Sequence, residues 1–445
     1  MIRTCLNLCL SILTAGTLYG IQVIQEPSAQ DSFQSTASSL CGSYSIVVDS
    51  YDWGAGVSQA ILSLDAPITF VSPDYFQVTE ECQFQQKTLT PPNTVKTVRT
   101  VTGAYLSDPA GAPVTTPSPY ITLELAVTPD IGSPLVYQPD LCHYELADPY
   151  QLTIRLKEDC PLAAQQKIYT SLTLPTTPDT WVISALDGFE YGRYTAAQYP
   201  LSYSSYTPPS DGRKKPLVIW LHGLGEGGTD PIIPLLGCEA TAFAQSEFQQ
   251  LSGGAYVLAP QCPTLWLDDG KGQTTQTGES CYTESLMALI RDFLAVHPDA
   301  DQSRIYVGGC SNGGYMTMEL LLRNPGFFAA AFPVCQPYKD LWVSDDELRS
   351  LLDTPIWFIH SELDTICPPE ESTFPTVERL RAAGGKKVLL TRMTAVYGDP
   401  LPNTDQRNPQ QYNPHFSWIP VLNGDIYDPD SGQNLFQWLL KQQLP

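Results

Sequence analysis

Continuous apolar runs that end at glycine or a polar turn recur after residue 201, and they constrain the fold of the C-terminal half most strongly. The runs are PLVIWLHG, AYVLAPQ, RIYVGG, AAAFPVC, PIWFIHS and KVLLTRM, with helical periods such as ESLMALIRDFLAVH and YMTMELLLRNP between and after them. A strand that is buried on both faces is apolar throughout. We therefore predict an α/β domain over residues 201–445, with a mostly parallel sheet and helices on both faces. In such sheets the reactive residues follow the carboxyl ends of the strands.

The pattern that precedes this domain is different. Short alternating segments, SYSIVVDS, QAILSL, TVRTVTGAY, YITLELAVT and YQLTIRL, are separated by turns rich in Pro, Gly and Asp. No long helical period interrupts them, which predicts a small all-β sandwich over residues 41–156. Residues 157–200 are rich in Pro, Thr and Tyr, and we interpret them as a connector that packs on both domains.

The first residues have the pattern of a secretory signal peptide. Arg3 supplies a positive charge, an apolar stretch follows from Cys5 to about Leu18, and small residues lie near Gly16 and Gly20. We predict a signal peptide over residues 1–20, a polar linker over 21–40 and an exported protein without a membrane span in its mature form. A buried N-terminal helix is the alternative.

Charge and cysteine content limit the classes of partner and cofactor. Asp and Glu number 47 against 24 Lys and Arg, for a net charge of −23, so nucleic acid is not an expected partner. Ten cysteines remain after the signal peptide, and an even number in an exported chain favours disulfides, whose pairing the sequence leaves open. No Cys or His cluster has zinc spacing, and the acidic NGDIYDPDSG has poor spacing for calcium, so we expect no metal or cofactor.

One short glycine-rich segment has the form of a nucleophile elbow. Gly309-Cys310-Ser311-Asn312-Gly313 reads GxSxG and lies between the strand-like RIYV and the helix-like MTMELLL. Such a turn forces the serine into a strained conformation that exposes its hydroxyl, and the following helix N-terminus presents free N–H groups. Side chains at Gly309 and Gly313 would clash with the neighbouring strand and helix. We predict Ser311 as a nucleophile; the alternative is a glycine-rich turn with an idle serine.

A serine nucleophile requires a base and an orienting acid, which follow it in the chain in this topology. Of the two downstream histidines, His360 lies inside a predicted strand and suits a structural role, whereas His415 lies in the loop QYNPHFSWIP. We predict His415 as the base. For the acid, Asp364 in HSELDTICP lies farthest into a loop; Glu362 is the second choice and Asp399 the third.

The oxyanion hole and a substrate contact are predicted from two loops. Residues 221–230, LHGLGEGGTD, follow the first core strand, and the N–H groups of Leu224 and Asn312 are the predicted donors. His222 is expected to organise this loop, and a phosphate-binding loop is excluded because no Lys-Ser/Thr pair follows the glycines. Trp266 follows the strand AYVLAPQ, where it would either stack on a sugar or phenolic group of a substrate or simply pack.

Together these motifs resemble a known group of enzymes. WLHGLGEGG, YVLAPQCPTLWLDDG, RIYVGGCSNGGYMTM, PIWFIHSELDTICP and HFSW look like the secreted α/β-hydrolase esterases of the polyhydroxybutyrate-depolymerase and feruloyl-esterase-like type. YDWGAGVSQAILSL and VTGAYLSD are similar to the immunoglobulin-like domain that is fused to such esterases. The resemblance implies an α/β-hydrolase fold after an immunoglobulin-like sandwich, and a Ser311–Asp364–His415 triad.

The activity expected from the resemblance is hydrolysis of a small-molecule or polymer-linked ester through an acyl-enzyme. A serine peptidase of the prolyl-oligopeptidase-like type and a noncatalytic binding protein are the alternatives, and the intact triad argues against the latter. Cys310, next to the nucleophile, is a candidate for a disulfide with Cys335. The oligomeric state stays open.

Overall fold

The computed structural model describes residues 38–84, 93–139, 142–164, 167–402 and 408–445. The predicted signal peptide, residues 1–20, lies outside the described residues. So does the predicted linker up to residue 37, and the first strand begins at Ser39. In the part of the chain that the structure describes, no helix is both long enough and apolar enough to cross a bilayer.

Where the structure describes it, the N-terminal domain consists of strands and short 3-10 turns. The strands are β1 Ser39–Tyr51, β2 Gly54–Ile68, β3 Phe76–Phe84, β4 Asn93–Arg99, β5 Val101–Ser107, β6 Ser118–Leu125, β7 Leu135–Gln138, β8 His143–Leu146, β9 Tyr150–Leu156, β10 Leu162–Ala164, β11 Lys167–Tyr169, β12 Ser171–Thr173 and β13 Thr180–Val182. One sheet has the order β12–β1–β2–β6–β5, with β13 also on β1, and a second has the order β4–β3–β9. β7 pairs with β8, and β10 with β11.

The two sheets share one core, which confirms the predicted sandwich. Ile46 and Leu123 of the larger sheet are fully buried and belong to the same apolar cluster as Val78 of the smaller one. The segment TVRTVTGAY, predicted as one strand, is divided at Thr100 between the two sheets. Beside the break, the buried guanidinium of Arg99 forms an ion pair with Glu80 of the smaller sheet. It also donates to the carbonyls of Val57 in β2, at 2.7 Å, and of Ala126 just after β6, at 2.9 Å. This crossing depends on partners distant in sequence, so the local alternation could not indicate it.

Residues 157–200 contribute strands to both domains. β12 and β13 pair in parallel with β1 of the sandwich. A further strand, β14 Phe189–Tyr194, pairs with β15 of the C-terminal sheet. The segment thus connects the domains through hydrogen-bonded strands on each side.

An eight-stranded sheet forms the centre of the C-terminal domain. Besides β14 its strands are β15 Leu201–Tyr206, β16 Lys215–Leu221, β17 Tyr256–Gln261, β18 Ala300–Cys310, β19 Ala330–Val334, β20 Ile356–Ser361 and β21 Val388–Met393. Their order is β14–β15–β17–β16–β18–β19–β20–β21, and the strands from β17 to β21 in this order are parallel. Each predicted apolar run forms one of the strands β16 to β21. A short antiparallel pair, β22 Val396–Gly398 and β23 Gln410–Tyr412, lies outside this sheet.

Helices cover both faces of the sheet, as predicted. They are α1 Ile233–Gly237, α2 Ser246–Ser252, α3 Thr283–Val296, α4 Asn312–Arg323, α5 Asp345–Ser350, α6 Thr373–Ala382, α7 Trp418–Leu422 and α8 Leu435–Leu439. Successive side chains of a strand point to opposite faces. Accordingly, Ile219 joins the core under α3 to α6, whereas Val218 and Trp220 join the core under α1, α2, α7 and α8. The α/β fold class is therefore confirmed.

The predicted disulfides are a point where the structure differs from the sequence interpretation. Free thiols are found at Cys41, Cys82, Cys160, Cys238, Cys262, Cys281, Cys310, Cys335 and Cys367. The bridge considered between Cys310 and Cys335 is not formed. Burial raises the pKa of both thiols well above the usual value, which disfavours the thiolate through which disulfides form.

Candidate active site

Ser311 occupies a sharp turn between the central strand β18 and helix α4. Its backbone has φ 53° and ψ −116°, a left-handed region that residues other than glycine rarely adopt. The Ser311 N–H donates to the Val334 carbonyl at 2.9 Å, and the Ser311 carbonyl accepts from the Tyr315 N–H at 2.9 Å. These bonds fix the turn between the neighbouring strand β19 and the first turn of α4. The strained serine is thus held in place by regular structure on both sides.

The two glycines of the GxSxG segment are required by close packing, as predicted. A Cβ at Gly309 would lie 2.5 Å from the Leu221 carbonyl oxygen and 2.8 Å from the Gly313 carbonyl. A Cβ at Gly313 would overlap the same Leu221 oxygen and lie 2.7 Å from the His222 carbonyl oxygen. The elbow therefore packs directly against the end of β16 and the loop that follows it.

The structure brings Ser311, His415 and Asp364 into one hydrogen-bonded series. His415 Nε2 lies 3.0 Å from Ser311 Oγ, and His415 Nδ1 lies 2.7 Å from Asp364 Oδ2. Because an ionised carboxylate only accepts, Nδ1 carries the ring proton and Nε2 accepts the serine hydroxyl proton. The loop between β23 and α7 holds the imidazole, and the His415 backbone N–H donates to Asn413 Oδ1 at 2.9 Å. This geometry suits removal of a proton from Ser311 Oγ.

The carboxyl of Asp364 is buried yet remains ionised. Burial raises its pKa, but hydrogen bonds from His360 and His415 outweigh that effect and hold the pKa well below the usual range. Asp364 Oδ1 also accepts the N–H groups of Ile366 and Cys367, each at 2.9 Å. A carboxylate held this way can stabilise an imidazolium at His415.

The other acidic candidates lie elsewhere. Glu362 is exposed and its carboxylate lies 3.6 Å from the Arg392 guanidinium. Asp399 donates its backbone N–H to Asp52 of the N-terminal domain at 2.8 Å. Neither is part of the Ser311–His415 series.

His360 has a closer relation to this series than the sequence interpretation gave it. It is fully buried in β20, and its Nε2 lies 3.3 Å from Asp364 Oδ2. The signal available in the sequence was a polar residue inside an apolar strand, four positions before the acid.

Two N–H groups at the same sheet edge are available for an oxyanion. Leu224 begins a 3-10 turn after β16, and Asn312 begins α4 beside Ser311. Within the described residues, neither N–H has a hydrogen-bond partner. β16 and β18 are paired in parallel with Leu221 opposite Gly309, so the two loops leave the sheet side by side. Unpaired N–H groups beside a nucleophile suit stabilisation of a developing negative charge.

His222 organises the Leu224 loop. It accepts the Cys262 N–H at Nε2, 3.2 Å away, so its Nδ1–H donates to the Gly223 carbonyl at 2.6 Å. Burial lowers its pKa to about 4, which keeps the ring neutral. A neutral ring in one tautomer links the loop to the end of β17.

Trp266 does not present a surface to substrate. The side chain has no exposed area and packs between the rings of His222, 5.0 Å away, and Tyr282, 5.9 Å away. The packing role is therefore the one that the structure supports, because a substrate ring has no access to the indole in this conformation. Asn312 Oδ1 accepts the N–H of the adjacent Leu267 at 3.3 Å, which ties this loop to the elbow.

Glu226 is a buried acidic residue of the site that the sequence interpretation missed. Burial raises its pKa from 4.5 to about 7, although the N–H groups of Gly223 and Glu226 lower it. A Cβ at Gly223 would lie 3.0 Å from Glu226 Oε2 and 3.5 Å from Cys310 Sγ, so the carboxyl lies between the oxyanion loop and the elbow. A charged residue in a glycine-rich loop was its only signal in the sequence.

The N-terminal domain contacts the oxyanion loop. A Cβ at Gly225 would lie 2.6 Å from the Tyr144 ring of β8, and a Cβ at Gly228 would lie 3.8 Å from the His143 ring. The hairpin of β7 and β8 therefore borders the loop that contains Leu224.

Cys335, Asp364 and His415 place a thiol, a carboxylate oxygen and a ring nitrogen within 4.8 Å of one another. The Nδ1–H of His415 is already donated to Asp364, so this grouping follows from the hydrogen-bonded series. We interpret Cys335 as packing beneath it.

Two segments of the chain match known protein families. Residues 43–174 match a family described as the esterase Ig-like N-terminal domain, and residues 266–341 match the prolyl oligopeptidase family. No curated protein sequence matches this chain.

Solved structures resemble the fold. A thermostable esterase is 24% identical with a TM-score of 0.69, and the match covers 90% of this chain and 99% of that chain. An acylaminoacyl peptidase from Pyrococcus horikoshii is 19% identical with a TM-score of 0.35, over 55% of this chain and 41% of that one. A ferulic acid esterase is 10% identical with a TM-score of 0.37, over 46% and 89% respectively. Together these likenesses support the fold: an immunoglobulin-like domain of the kind that precedes esterases, followed by a domain with the α/β-hydrolase fold.

Proposed function

We propose that this protein is a carboxylic ester hydrolase that acts through an acyl-enzyme on Ser311, with His415 as general base and Asp364 as its orienting acid. The observation that carries the proposal is the pair of hydrogen bonds, 3.0 Å and 2.7 Å, that join Ser311 Oγ to Asp364 through His415. The strained elbow supports it, since such strain is characteristic of functional sites.

In the first half of the reaction, His415 Nε2 removes the hydroxyl proton as Ser311 Oγ attacks the ester carbonyl carbon. Asp364 stabilises the imidazolium, and the N–H groups of Leu224 and Asn312 donate to the oxyanion. The tetrahedral intermediate then collapses, the C–O bond to the alcohol breaks, and Nε2–H protonates the departing oxygen.

In the second half, water replaces the alcohol. His415 accepts a proton from water as its oxygen attacks the acyl carbon, and the same N–H groups hold the second oxyanion. Cleavage of the acyl–Oγ bond releases the carboxylic acid and returns the proton to Ser311.

An ester is the favoured substrate because both the N-terminal match and the thermostable esterase point to esterases. Activity as a serine peptidase is the second candidate, and the match of residues 266–341 to the prolyl oligopeptidase family favours it. The two differ in the leaving group, since an amine must be protonated before it departs and an alkoxide is a better leaving group.

Export and substrate class are further parts of the proposal. The charged and apolar pattern of residues 1–20 supports secretion. The resemblance to polyhydroxybutyrate-depolymerase and feruloyl-esterase-like enzymes supports small-molecule or polymer-linked ester substrates.

The test is stopped-flow kinetics of the purified chain with p-nitrophenyl butyrate and with a p-nitroanilide of the same acyl group. We expect a burst of p-nitrophenol followed by steady turnover, with much slower anilide cleavage. Ser311→Ala should abolish the burst and lower kcat more than about 10⁴-fold. Ser210→Ala, a matched change at an exposed loop serine, should leave both unchanged.

Faster anilide than ester cleavage that also depends on Ser311 would favour the peptidase. Equal ester turnover by the wild type and Ser311→Ala would refute the proposed nucleophile.

A further inference from the structure

We propose that His360 is a positioning residue of the site, whose Nε2–H, fixed by Thr373, holds the Asp364 carboxylate in the orientation that His415 requires. This inference rests on the proposed function of the Ser311 series. Its starting point is the burial of a second imidazole directly behind the acid, since His360 has no exposed surface.

The tautomer of His360 follows from its acceptors. Nε2 lies 2.9 Å from the Cys367 carbonyl oxygen and 3.3 Å from Asp364 Oδ2. Neither a carbonyl nor an ionised carboxylate can donate, so Nε2 must carry a proton. The Nε2–H donates to the Cys367 carbonyl in the loop that carries Asp364, and the same nitrogen lies within ion-pair distance of the Asp364 carboxylate.

The other ring nitrogen is occupied by a buried hydroxyl. Nδ1 of His360 lies 2.8 Å from Thr373 Oγ1 at the start of α6, and Thr373 Oγ1 accepts from Gln336 Nε2 at 3.0 Å. Gln336 Oε1 in turn accepts the Tyr338 N–H at 2.6 Å, which fixes the orientation of its amide. The Thr373 hydroxyl proton therefore goes to Nδ1, and a ring protonated at both nitrogens would leave that proton without an acceptor.

This arrangement completes the coordination of Asp364. Oδ1 accepts two backbone N–H groups, and Oδ2 accepts from His415 at 2.7 Å and faces His360 at 3.3 Å. A carboxylate has about four acceptor positions, of which three accept hydrogen bonds and the fourth faces the His360 ring. Removal of the His360 donor would free one position of Oδ2, the oxygen that binds His415.

Other titratable groups that face Asp364 are the thiols of Cys335 and Cys367, both buried. Arg392 on the neighbouring strand β21 lies over the Phe374 ring at 3.9 Å and 3.6 Å from Glu362. Its charge is therefore compensated outside the site. Within the described residues, His360 and His415 are the imidazoles that contact Asp364.

The first test compares His360→Leu, Thr373→Val and His360→Gln by kcat and kcat/KM against pH with p-nitrophenyl butyrate. Burst amplitude gives the concentration of active sites, so a loss of folded protein does not lower kcat per site. We expect about 10-fold lower kcat in His360→Leu, the factor for losing one hydrogen bond to a charged group, with KM little changed. Thr373→Val should show the same effect in smaller degree, and His360→Gln, which keeps a donor at the Nε2 position, should recover part of it.

The acid limb of the kcat/KM profile should move to higher pH in His360→Leu. A carboxylate that has lost one donor attracts the His415 imidazolium more strongly, so that imidazolium persists to higher pH. His297→Leu, a matched change at a histidine whose Nδ1 bonds the Phe293 carbonyl far from the site, should leave the profile unchanged. An unchanged acid limb and unchanged kcat per site in both His360→Leu and Thr373→Val would reduce His360 to a packing role and overturn the proposal.

A second measurement does not depend on activity. The chain has five histidines, so ¹⁵N-histidine NMR resolves their tautomers, and His360→Gln assigns the signal. We expect a neutral His360 with the proton on Nε2. A proton on Nδ1 would overturn the proposal even where the wild type turns over esters, whereas absent ester and anilide turnover with the expected tautomer would count against the proposed function alone.

Discussion

At the scale of single residues, the site contains two buried carboxyls whose negative charge is stabilised to different degrees. Asp364 keeps its charge because donors surround it, whereas Glu226 lacks enough of them: its Oε2 is buried without a hydrogen-bond partner among the described residues. Ionisation of Glu226 is therefore unfavourable in the folded protein. An acid whose pKa is higher in the folded than in the unfolded protein stabilises the fold at pH values below its unfolded-state pKa. That stabilisation is lost as the pH rises through its folded-state pKa.

For Glu226 this pH range runs from 4.5 to about 7. Over this range we expect the ionisation of Glu226 to lower the unfolding free energy of the wild type by about 3 kcal/mol. Glu226→Gln cannot ionise, so its stability should fall less between pH 4.5 and pH 8. Urea unfolding followed by tryptophan fluorescence at both pH values measures this, and Glu190→Gln at an exposed site is the matched control. Equal pH dependence in Glu226→Gln and the wild type would show that the carboxyl is not strained by burial.

At the scale of elements, the strand–elbow–helix unit is where local sequence determines structure most directly. The apolar run before Ser311, the glycines around it and the helical period after it each act within a few residues, so the sequence could predict the turn. The positions of the loops that contain His415 and Asp364 could be predicted in the same way, because each loop follows a predicted strand. The contact between His360 and Asp364 could not be predicted from the sequence. It depends on the path of the loop after β20 and on Thr373 at the start of α6.

The substitution Gly313→Ala tests how tightly the strand–elbow–helix unit around Ser311 is packed. Gly313→Ala would place a Cβ inside the Leu221 carbonyl oxygen, so β18, α4 or the oxyanion loop must move. We expect a loss of about 3 kcal/mol or more in unfolding free energy. Gly326→Ala is the control, because that glycine has φ +78° and no atom within 4 Å, and should cost only about 1 kcal/mol. Differential scanning calorimetry compares the two, and similar melting temperatures would contradict the close packing of the elbow.

At the scale of the whole molecule, the two domains meet at the oxyanion loop and at an acidic cavity. Asp52, in the turn between β1 and β2, accepts the Asp399 N–H at 2.8 Å and the Tyr412 hydroxyl at 2.9 Å. The cavity beside it, of about 500 Å³, is also lined by Glu239 and Asp425. The alternating pattern of the N-terminal strands predicts a sandwich, but it carries no information on where that sandwich docks. Docking brings together carboxyls that are hundreds of residues apart.

This acidic interface should weaken as the pH rises. Burial raises the pKa of Glu239 from 4.5 to about 8, and the charges of Asp52 and Asp399 add to the shift, so its stabilising contribution is present below pH 4.5 and lost as the pH rises through 8. Allowing for partial exposure, we expect the wild type to lose about 2 kcal/mol across this window from Glu239. Glu239→Gln should therefore raise the melting temperature relative to the wild type at pH 9 and not at pH 4.5. Glu247→Gln, an exposed carboxyl on the wall of the same cavity, should leave the pH dependence unchanged. A Glu239→Gln variant that melts like the wild type at pH 9 would mean that the domain interface accommodates the charge of Glu239 without cost.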